Sequence, residues 1–140
     1  MIEPLNSEHL RAFRPNVYSN PAGLMPVLNS RSWSKFALVD KGSTQAILCM
    51  REYHPRHYES FVLVSKDYRL RNSQELRDFM HSLRDSHGII RLQTESEDSA
   101  ALNHWHEYLG FVYEGTRKKM IDGKDFNSWG LVFEGVGHGD

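Results

Sequence analysis

The sequence predicts an α/β fold with a mixed β-sheet around a central strand–helix–strand unit. A strand is expected over residues 58–65, an amphipathic helix from residue 72 to Gly88, and a second strand over 89–94. Two strands joined by a crossover helix of this length pair in parallel, with a right-handed connection. Antiparallel strands before the unit and a hairpin after it make the predicted sheet mixed.

The first half of the chain predicts a short helix and then three antiparallel strands. The helix starts at Asn6-Ser7-Glu8-His9, with Asn6 or Ser7 as its cap, and runs through Phe13. Three prolines make residues 14–32 mostly loop, with room for one short helix. Strands with turns between them are expected over 34–40, 44–52 and 58–65. The last of these is apolar on both faces, which places it in the middle of the sheet.

The helix of the central unit carries its own start and stop signals. Asn72 is the expected cap, Glu75 is its reciprocal partner three residues on, and Gly88 ends the helix. One apolar stripe follows the helical period: Leu76, Phe79, Met80 and Leu83. This stripe is expected to cover one face of the sheet.

The last third of the chain predicts a helix and a hairpin. Asp98 or Ser99 caps the helix, Gly110 ends it, and its inner face is Leu102, Trp105 and Leu109. Strands over 111–119 and 126–133 follow. They are joined by Asp122-Gly123, a turn whose central residues need positive φ.

Length and composition indicate one globular domain, expected over residues 1–134 with a flexible tail at 135–140. The 140 residues are 39% hydrophobic and 25% charged, with a net charge of −1, which excludes a general attraction to nucleic acid or membrane. No apolar run approaches the roughly 20 residues of a membrane helix. The N-terminus lacks the pattern of a signal peptide, and one cysteine cannot form an internal disulfide. These features predict a cytoplasmic protein.

Several other residue groups favour structural roles. The histidine pairs lack ligand spacing: His104 and His106 lie two residues apart, on opposite sides of a helix, so no metal site is predicted. Cys49 is expected in the core. The basic run Arg117-Lys118-Lys119 reads as a solvated strand. Of the three tryptophans, only Trp33, beside the proline-rich loop, is a candidate for lining an acceptor pocket.

The segment from Ser99 to Gly115 resembles the GNAT acyltransferases. It ends in Tyr108-Leu109-Gly110-Phe111-Val112-Tyr113-Glu114-Gly115, and a Gly123-Lys124-Asp125 hairpin follows, as in members of that family. The order of elements matches over residues 30–134. The resemblance implies a GNAT-like fold with a six- to seven-stranded mixed sheet and helices on both faces. The chain also resembles the small GNAT-like proteins of tailed bacteriophages, for which a virion or host-cytoplasm location is implied.

The resemblance implies a site for acyl-CoA, most simply acetyl-CoA. Acyl-CoA would lie in a cleft where the strand at 58–65 separates from the strand at 89–94, with Val62 and Val64 among its binding residues. Its pyrophosphate would lie on the amides that open the helix at 72. The implied cofactor-binding loop is Arg69, Leu70, Arg71, Asn72, Ser73 and Gln74. Asn72 replaces one family glycine, with positive φ expected there, and Gln74 replaces the other, where its side chain could block a phosphate. Arg69 and Arg71 could compensate by binding phosphate directly.

The resemblance also implies an acid and a base for acyl transfer to an amine. Glu59 is the candidate base. The family's acid is often a tyrosine at the position that His106 occupies here, while Tyr108 lies about 200° further around the helix, so both cannot face the cleft. His106 is the preferred acid. The acceptor would enter over residues 14–32.

Two functions are therefore predicted as alternatives. The first is an acetyl-CoA-dependent N-acetyltransferase acting on a small molecule or protein amine. The second is an inactive GNAT-like scaffold that binds another protein, because both loop glycines and the expected tyrosine are replaced. A closed cleft, or Gln74 filling the pyrophosphate site, would favour the scaffold, and an open V-shaped gap would favour the enzyme. A homodimer is also left open.

Overall fold

A seven-stranded mixed sheet organises the computed structural model, which describes residues 1–11, 13–15, 26–27 and 29–133. In chain order, its strands are β1 (Ile2–Pro4), β2 (Ser34–Asp40), β3 (Ser43–His54), β4 (His57–Val64), β5 (Arg91–Glu97), β6 (Val112–Ile121) and β7 (Lys124–Val132). The helices treated below are α1 (Ser7–Arg11), α2 (Ser73–His87) and α3 (Ala100–Leu109). The sheet order is β1-β2-β3-β4-β5-β7-β6.

The central strand–helix–strand unit is confirmed. β4 and β5 pair in parallel across the α2 crossover, while every other neighbouring pair of strands in the sheet is antiparallel. β4 lies in the middle of the sheet, as its apolar sequence predicted. The expected α/β class, with a mixed sheet of six to seven strands and helices, is therefore the observed one.

Several element boundaries differ from the predicted ones. β1 was not predicted because three residues carry too little periodicity; it pairs with β2 at the sheet edge. β5 begins at Arg91 rather than residue 89, because the backbone of the two preceding isoleucines is used elsewhere. Ile89 N–H points to the Leu83 carbonyl at 3.5 Å, and Ile90 N–H donates to the Arg56 carbonyl at 2.9 Å. The expected tail at 135–140 lies outside the described residues.

The predicted capping role of Asn72 is wrong. Its side chain makes no cap hydrogen bond, and its φ is −78° rather than positive, because residues 70–72 form a 3₁₀ turn. The side-chain amide instead donates to Asp40 (3.2 Å) and to Gln45 (3.3 Å). Gln45 is fully buried, and its side-chain oxygen would be costly to bury without a hydrogen-bond donor. The hydrogen bond from Asn72 to this oxygen is therefore favoured over a cap at the start of α2. Glu75 contacts the Met1 ammonium group instead of closing a capping box.

The remaining helix and hairpin signals are confirmed. Gly88 and Gly110 end α2 and α3 in the left-handed region, with φ of 64° and 101°. Of the two proposed caps of α3, Ser99 accepts the Leu102 N–H at 3.2 Å. The turn between β6 and β7 has positive φ at both Asp122 and Gly123.

Apolar layers cover both faces of the sheet. On one face, α2 and α3 bury the larger core, whose fully buried members include Met50, Leu76, Met80, Leu83, Leu92 and Leu109. On the other face, a smaller cluster of Ile47, Cys49 and Leu63 packs near α1. Cys49 is thus a core residue, as predicted, and burial raises the pKa of its thiol to about 12, which makes it a poor nucleophile. Within the described residues, no helix is long and apolar enough to span a membrane.

His106 belongs to the larger core. Its ring stacks on Trp129 with the centroids 5.4 Å apart and an interplanar angle of 13°, and Phe111 contacts it edge-on. Its Nδ1 lies 2.8 Å from the Leu102 carbonyl, so Nδ1 carries the hydrogen. Burial lowers the pKa of His106 below its ordinary value, so the ring is neutral in the folded protein near neutral pH.

We expect this burial to make stability fall with acid. Below pH about 6.5 the unfolded chain binds a proton at His106 that the folded chain does not, so lowering the pH favours unfolding. The contribution is up to about 1.4 kcal/mol per pH unit until the folded pKa is reached. Urea denaturation of the wild type and His106→Phe between pH 5 and 8 measures it. The variant keeps the ring stack and should lose this part of the pH dependence.

The same substitution at the exposed His104 controls for adding a phenyl ring to α3. Identical pH dependence in the wild type and His106→Phe would contradict the prediction.

Candidate functional site

The parallel strands β4 and β5 separate after a short stretch of pairing. They are paired only from His57–Arg91 to Glu59–Gln93. β4 then continues along β3, while β5 continues along β7 as far as the Glu97–Phe126 pair. At the point of separation, Ser60 Oγ donates to the Gln93 carbonyl at 3.1 Å. An open V-shaped gap therefore lies between the two central strands.

A cavity of about 500 Å³ lies at this gap. Its wall is formed by Trp33, Glu59, Ser60, Phe61, Arg91, Gln93, Thr94, Glu95, Glu114, Arg117, Ser128 and Trp129. The side chains of β4 and β5 alternate between the two faces, so Glu59, Gln93 and Glu95 share the face opposite α2. Trp33, the sequence candidate for lining an acceptor pocket, is one of the residues of this wall.

Glu59, the predicted base, lies in the cavity wall. Its Oε1 forms an ion pair with Arg51 at 2.5 Å, and its side chain is 32% exposed. The Arg51 guanidinium also lies over the Trp33 ring, 4.8 Å from the centroid. Arg51 and Trp33 thus fix the carboxylate at one oxygen and leave Oε2 for a ligand in the cavity.

A second ion pair forms a rigid part of the wall. Arg91 donates to both carboxylate oxygens of Glu114, at 2.9 and 2.5 Å, and its Nε donates to Gln93 at 3.1 Å. Tyr53 donates to the same Gln93 oxygen. The pair lies across Gly130, where a Cβ would come within 2.8 Å of Arg91. Arg91 holds the pKa of Glu114 below its ordinary value, so this carboxylate is ionised.

A third pair, Glu95 with Arg117, lies across the gap from Glu59. Arg117 Nε is 3.0 Å from Glu95 Oε2, and Ser128 Oγ donates to the same oxygen at 3.1 Å. Arg117 is 64% exposed, as its predicted place on a solvated strand implies. A register shift within β6 sets it opposite Phe126, beside the cavity.

Five charged or polar residues of this wall were not predicted as site residues from the sequence: Arg91, Gln93, Glu95, Glu114 and Arg117. The alternation of Arg91, Gln93 and Glu95 along one strand was an available signal that one face of β5 is polar. Their partners on β6 were not predictable, because the pairs join residues that are distant in sequence, such as Arg91 and Glu114, which are 23 residues apart.

The loop before α2 is organised by Asp40. One oxygen of this carboxylate accepts from Arg69 (3.0 Å), Arg71 (2.9 Å) and the Asn72 amide (3.2 Å). These donors, Arg71 foremost, hold the pKa of Asp40 well below its ordinary value. Arg69 and Arg71 are still 43% and 57% exposed, so two guanidinium groups with one carboxylate present net positive charge beside the start of α2.

Gln74 is held along α2. Its amide donates to both oxygens of Asp78, one turn further on, at 3.2 and 3.3 Å. Its carbonyl oxygen accepts from the Tyr108 hydroxyl at 3.1 Å. The Gln74 side chain is thus bonded at both ends, to Asp78 within α2 and to Tyr108 on α3. Leu70, in the preceding 3₁₀ turn, is 79% exposed. Ser73 faces α3, where its hydroxyl accepts from Trp105 Nε1 at 3.2 Å and lies 2.7 Å from the Tyr68 hydroxyl.

The structure does not bring all predicted catalytic residues together. Among the described residues that line the cavity, Glu59 is present and neither His106 nor Tyr108 is. Tyr108 lies at the contact between α2 and α3, with Arg77 over its ring. His106 is buried against Trp129, and its Nδ1 hydrogen is already donated to Leu102. Their catalytic roles stay predictions.

Comparison with known proteins gives a likeness of fold. No protein-family model matches the sequence, and no curated protein matches it. The ribosomal-protein-S18-alanine N-acetyltransferase of Escherichia coli superposes with a TM-score of 0.76 at 20% identity, covering 94% of this chain and 92% of that one. A spermidine N-acetyltransferase mutant of Vibrio cholerae gives 0.70 at 12% identity, covering 94% of both chains.

A third similar structure contains the cofactor. The ribosomal L7/L12 α-N-protein acetyltransferase RimL, in complex with coenzyme A, gives a TM-score of 0.64 at 16% identity, covering 81% of this chain and 69% of that one. These enzymes act on different amines, so the likeness concerns architecture. Together with the sheet order and the gap between β4 and β5, it shows that this chain has the fold of the GNAT acetyltransferases.

Proposed function

We propose that the protein is an N-acetyltransferase that moves the acetyl group of acetyl-CoA to an amine. The observation that carries this proposal is the open gap between β4 and β5, with the Glu59 carboxylate in its wall. The scaffold alternative calls for a filled cleft. The gap opens on a cavity of about 500 Å³, and Gln74 is bonded to Asp78 and Tyr108, which argues against that alternative.

The second half of β4 is suited to hold the thioester arm. Beyond Glu59, β4 forms no further pair with β5, so backbone groups near Val62 border the gap. An unpaired strand edge offers N–H and C=O groups to an extended ligand that carries amides, as the arm of coenzyme A does. The acetyl group would then reach the cavity near Ser60.

The loop of residues 69–74 is suited to the pyrophosphate. The dipole of α2 gives its first turn partial positive charge. Arg69 and Arg71 are exposed beside the start of α2. They can donate hydrogen bonds to a phosphate in place of some of those that they now donate to Asp40. Of the two residues that replace the glycines of the family motif, Asn72 is buried, and the Gln74 side chain is bonded to Asp78 and Tyr108.

Glu59 is assigned as the base. The acceptor ammonium first loses a proton, and its nitrogen then attacks the thioester carbonyl carbon. The new N–C bond forms, the C–S bond breaks, and the amide product loses one further proton. Glu59 Oε2 takes the proton from the amine, directly or through water, because Oε1 is held by Arg51.

No histidine is needed to protonate the departing sulfur. A thiol has a pKa of about 8.5, so the thiolate is a good leaving group near neutral pH and can take its proton from solvent. His106 is left out of the proton transfer, because its only ring hydrogen in the neutral state is on Nδ1 and is bonded to Leu102.

The single buried cysteine fits activity in the reducing cytoplasm.

Isothermal titration with acetyl-CoA is the primary test, and Gln74→Ala sharpens it. We expect binding to the wild type, and an affinity within about threefold in Gln74→Ala, because the wild-type side chain is bonded to Asp78 and Tyr108. Absence of heat at millimolar acetyl-CoA would overturn the proposed function. A tenfold or greater tightening in Gln74→Ala would show instead that Gln74 obstructs the site.

Glu59→Gln tests the base. We expect kcat to fall by roughly 10²–10⁴, the usual contribution of a general base, while acetyl-CoA affinity stays level. The matched control is Glu97→Gln, since Glu97 is also ion-paired and is 28% exposed, but lies outside the cavity wall. Equal activity of the two variants would remove Glu59 from the mechanism.

A further inference from the structure

The cavity wall is charged but internally neutralised. Each of its three carboxylates has an arginine partner: Glu59 has Arg51, Glu114 has Arg91, and Glu95 has Arg117. A polycation such as a polyamine gains most from carboxylates without partners. Here the negative charge of each carboxylate is already matched by an arginine, so several ammonium groups would meet no net negative charge. The wall therefore disfavours a purely cationic acceptor.

The ion pairs differ in how much bonding capacity they have left. Arg91 uses Nε and both terminal nitrogens on Gln93 and Glu114, and it contacts both oxygens of Glu114. In the Glu95–Arg117 pair, both contacts of the carboxylate fall on Oε2, and the guanidinium contact is through Nε. Among the described residues, no hydrogen bond is formed by Glu95 Oε1 or by the terminal nitrogens of Arg117. This pair can bind a ligand without being broken.

The open atoms of this pair match a zwitterion. A carboxylate oxygen can accept from a ligand ammonium, and the two terminal guanidinium nitrogens can donate to a ligand carboxylate in the bidentate geometry that arginine favours. Arg117 is 64% exposed and Glu95 36%, so both are accessible. Glu95 lies two residues beyond Gln93 on the same face as Glu59, which places the ammonium between the two carboxylates.

An apolar surface lies at the other side of the cavity. The Trp33 and Phe61 rings meet edge to face with centroids 5.4 Å apart, and both line the wall. They offer contact area to an apolar or aromatic side chain. The cavity volume of about 500 Å³ is ample for such a molecule beside an acetyl group.

Building on the proposed function, we infer that the acceptor is a free α-amino acid with an apolar side chain. Arg117 binds its carboxylate, Glu95 orients its ammonium, and Glu59 takes a proton from it. The nitrogen bonds to the acetyl carbon as the C–S bond breaks. The products are the N-acetyl amino acid, coenzyme A with its thiol, and one proton released to solvent.

A matched ligand series tests the inference by isothermal titration, with the protein alone and with saturating coenzyme A. The probes are L-phenylalanine, L-phenylalaninamide, 2-phenylethylamine and spermidine. The first three share the ring and the ammonium, and only the first has a carboxylate. We expect L-phenylalanine to bind at least about tenfold tighter than the other three, as expected for one charge-assisted bidentate contact.

Variants of β6 assign the effect to Arg117. In Arg117→Gln, the preference for the acid over the amide should fall to about one, and Arg117→Lys should keep part of it, since the charge remains without the planar fork. Lys118→Gln is the matched control: Lys118 is the next residue and is also ion-paired, but its partner is Asp125, outside the cavity. It should retain the wild-type preference. Thermal melts confirm that each variant is folded.

Several outcomes would overturn the inference. One is that L-phenylalaninamide binds as tightly as L-phenylalanine or more tightly, or that spermidine binds more tightly. A tripeptide with N-terminal phenylalanine is titrated as a further probe, and tighter binding of it than of L-phenylalanine has the same meaning. The others are a preference for the acid that survives Arg117→Gln, and no heat from any amine. Acetyl-CoA is titrated separately. Acetyl-CoA binding without amino-acid binding would reject this inference alone. Amino-acid binding without acetyl-CoA binding would reject the proposed transferase and leave the zwitterion site standing.

Discussion

The separation of β4 from β5 is the constraint on which the rest of the site depends. A parallel pair would normally continue along both strands, but here pairing stops after three residue pairs because β5 follows β7 and β4 follows β3. The sheet remains continuous at one end and open at the other. Where β4 and β5 no longer pair with each other, backbone polar groups face the gap, which is costly unless other groups, a ligand or solvent bond to them. The gap, the cavity beside it and the position of Glu59 in the cavity wall all follow from the end of pairing between β4 and β5.

Ion pairing between strands gives the cavity its chemical character. The arginines and carboxylates of the wall come from β3, β4, β5 and β6, so the pairs also fix the geometry of the opening. The Arg91–Glu114 pair is saturated and is supported by Gln93, Tyr53 and the absence of a side chain at Gly130. The Glu95–Arg117 pair is bonded at single atoms and keeps capacity for a ligand. The Arg91–Glu114 pair, with its groups fully bonded, and the Glu95–Arg117 pair, with groups left for a ligand, are thus built from the same two residue types.

The start of α2 shows how a buried polar group can replace a glycine motif. Gln45 is fully buried, and its side-chain oxygen accepts from Arg69 N–H and from the Asn72 amide. Asp40 then gathers Arg69, Arg71 and Asn72 at one oxygen. The loop therefore has a defined path without glycine, held by hydrogen bonds to β2 and β3. The two exposed guanidinium groups of this loop are the basis on which a pyrophosphate site is proposed there.

The sequence by itself determined the elements whose signals are local. The parallel β4–α2–β5 unit, the glycine ends of α2 and α3, the Ser99 cap and the hairpin turn at Asp122-Gly123 depend on periodicity or on residues a few positions apart. Glu59 and Trp33, which the sequence singled out as a candidate base and a candidate pocket residue, both line the cavity, and their roles stay predictions. Only the tertiary structure decided where β4 and β5 part, that Asn72 turns to Gln45 instead of capping, and that Arg117 meets Glu95. Each of these depends on contacts between distant strands, where burial and charge pairing outweigh local preference.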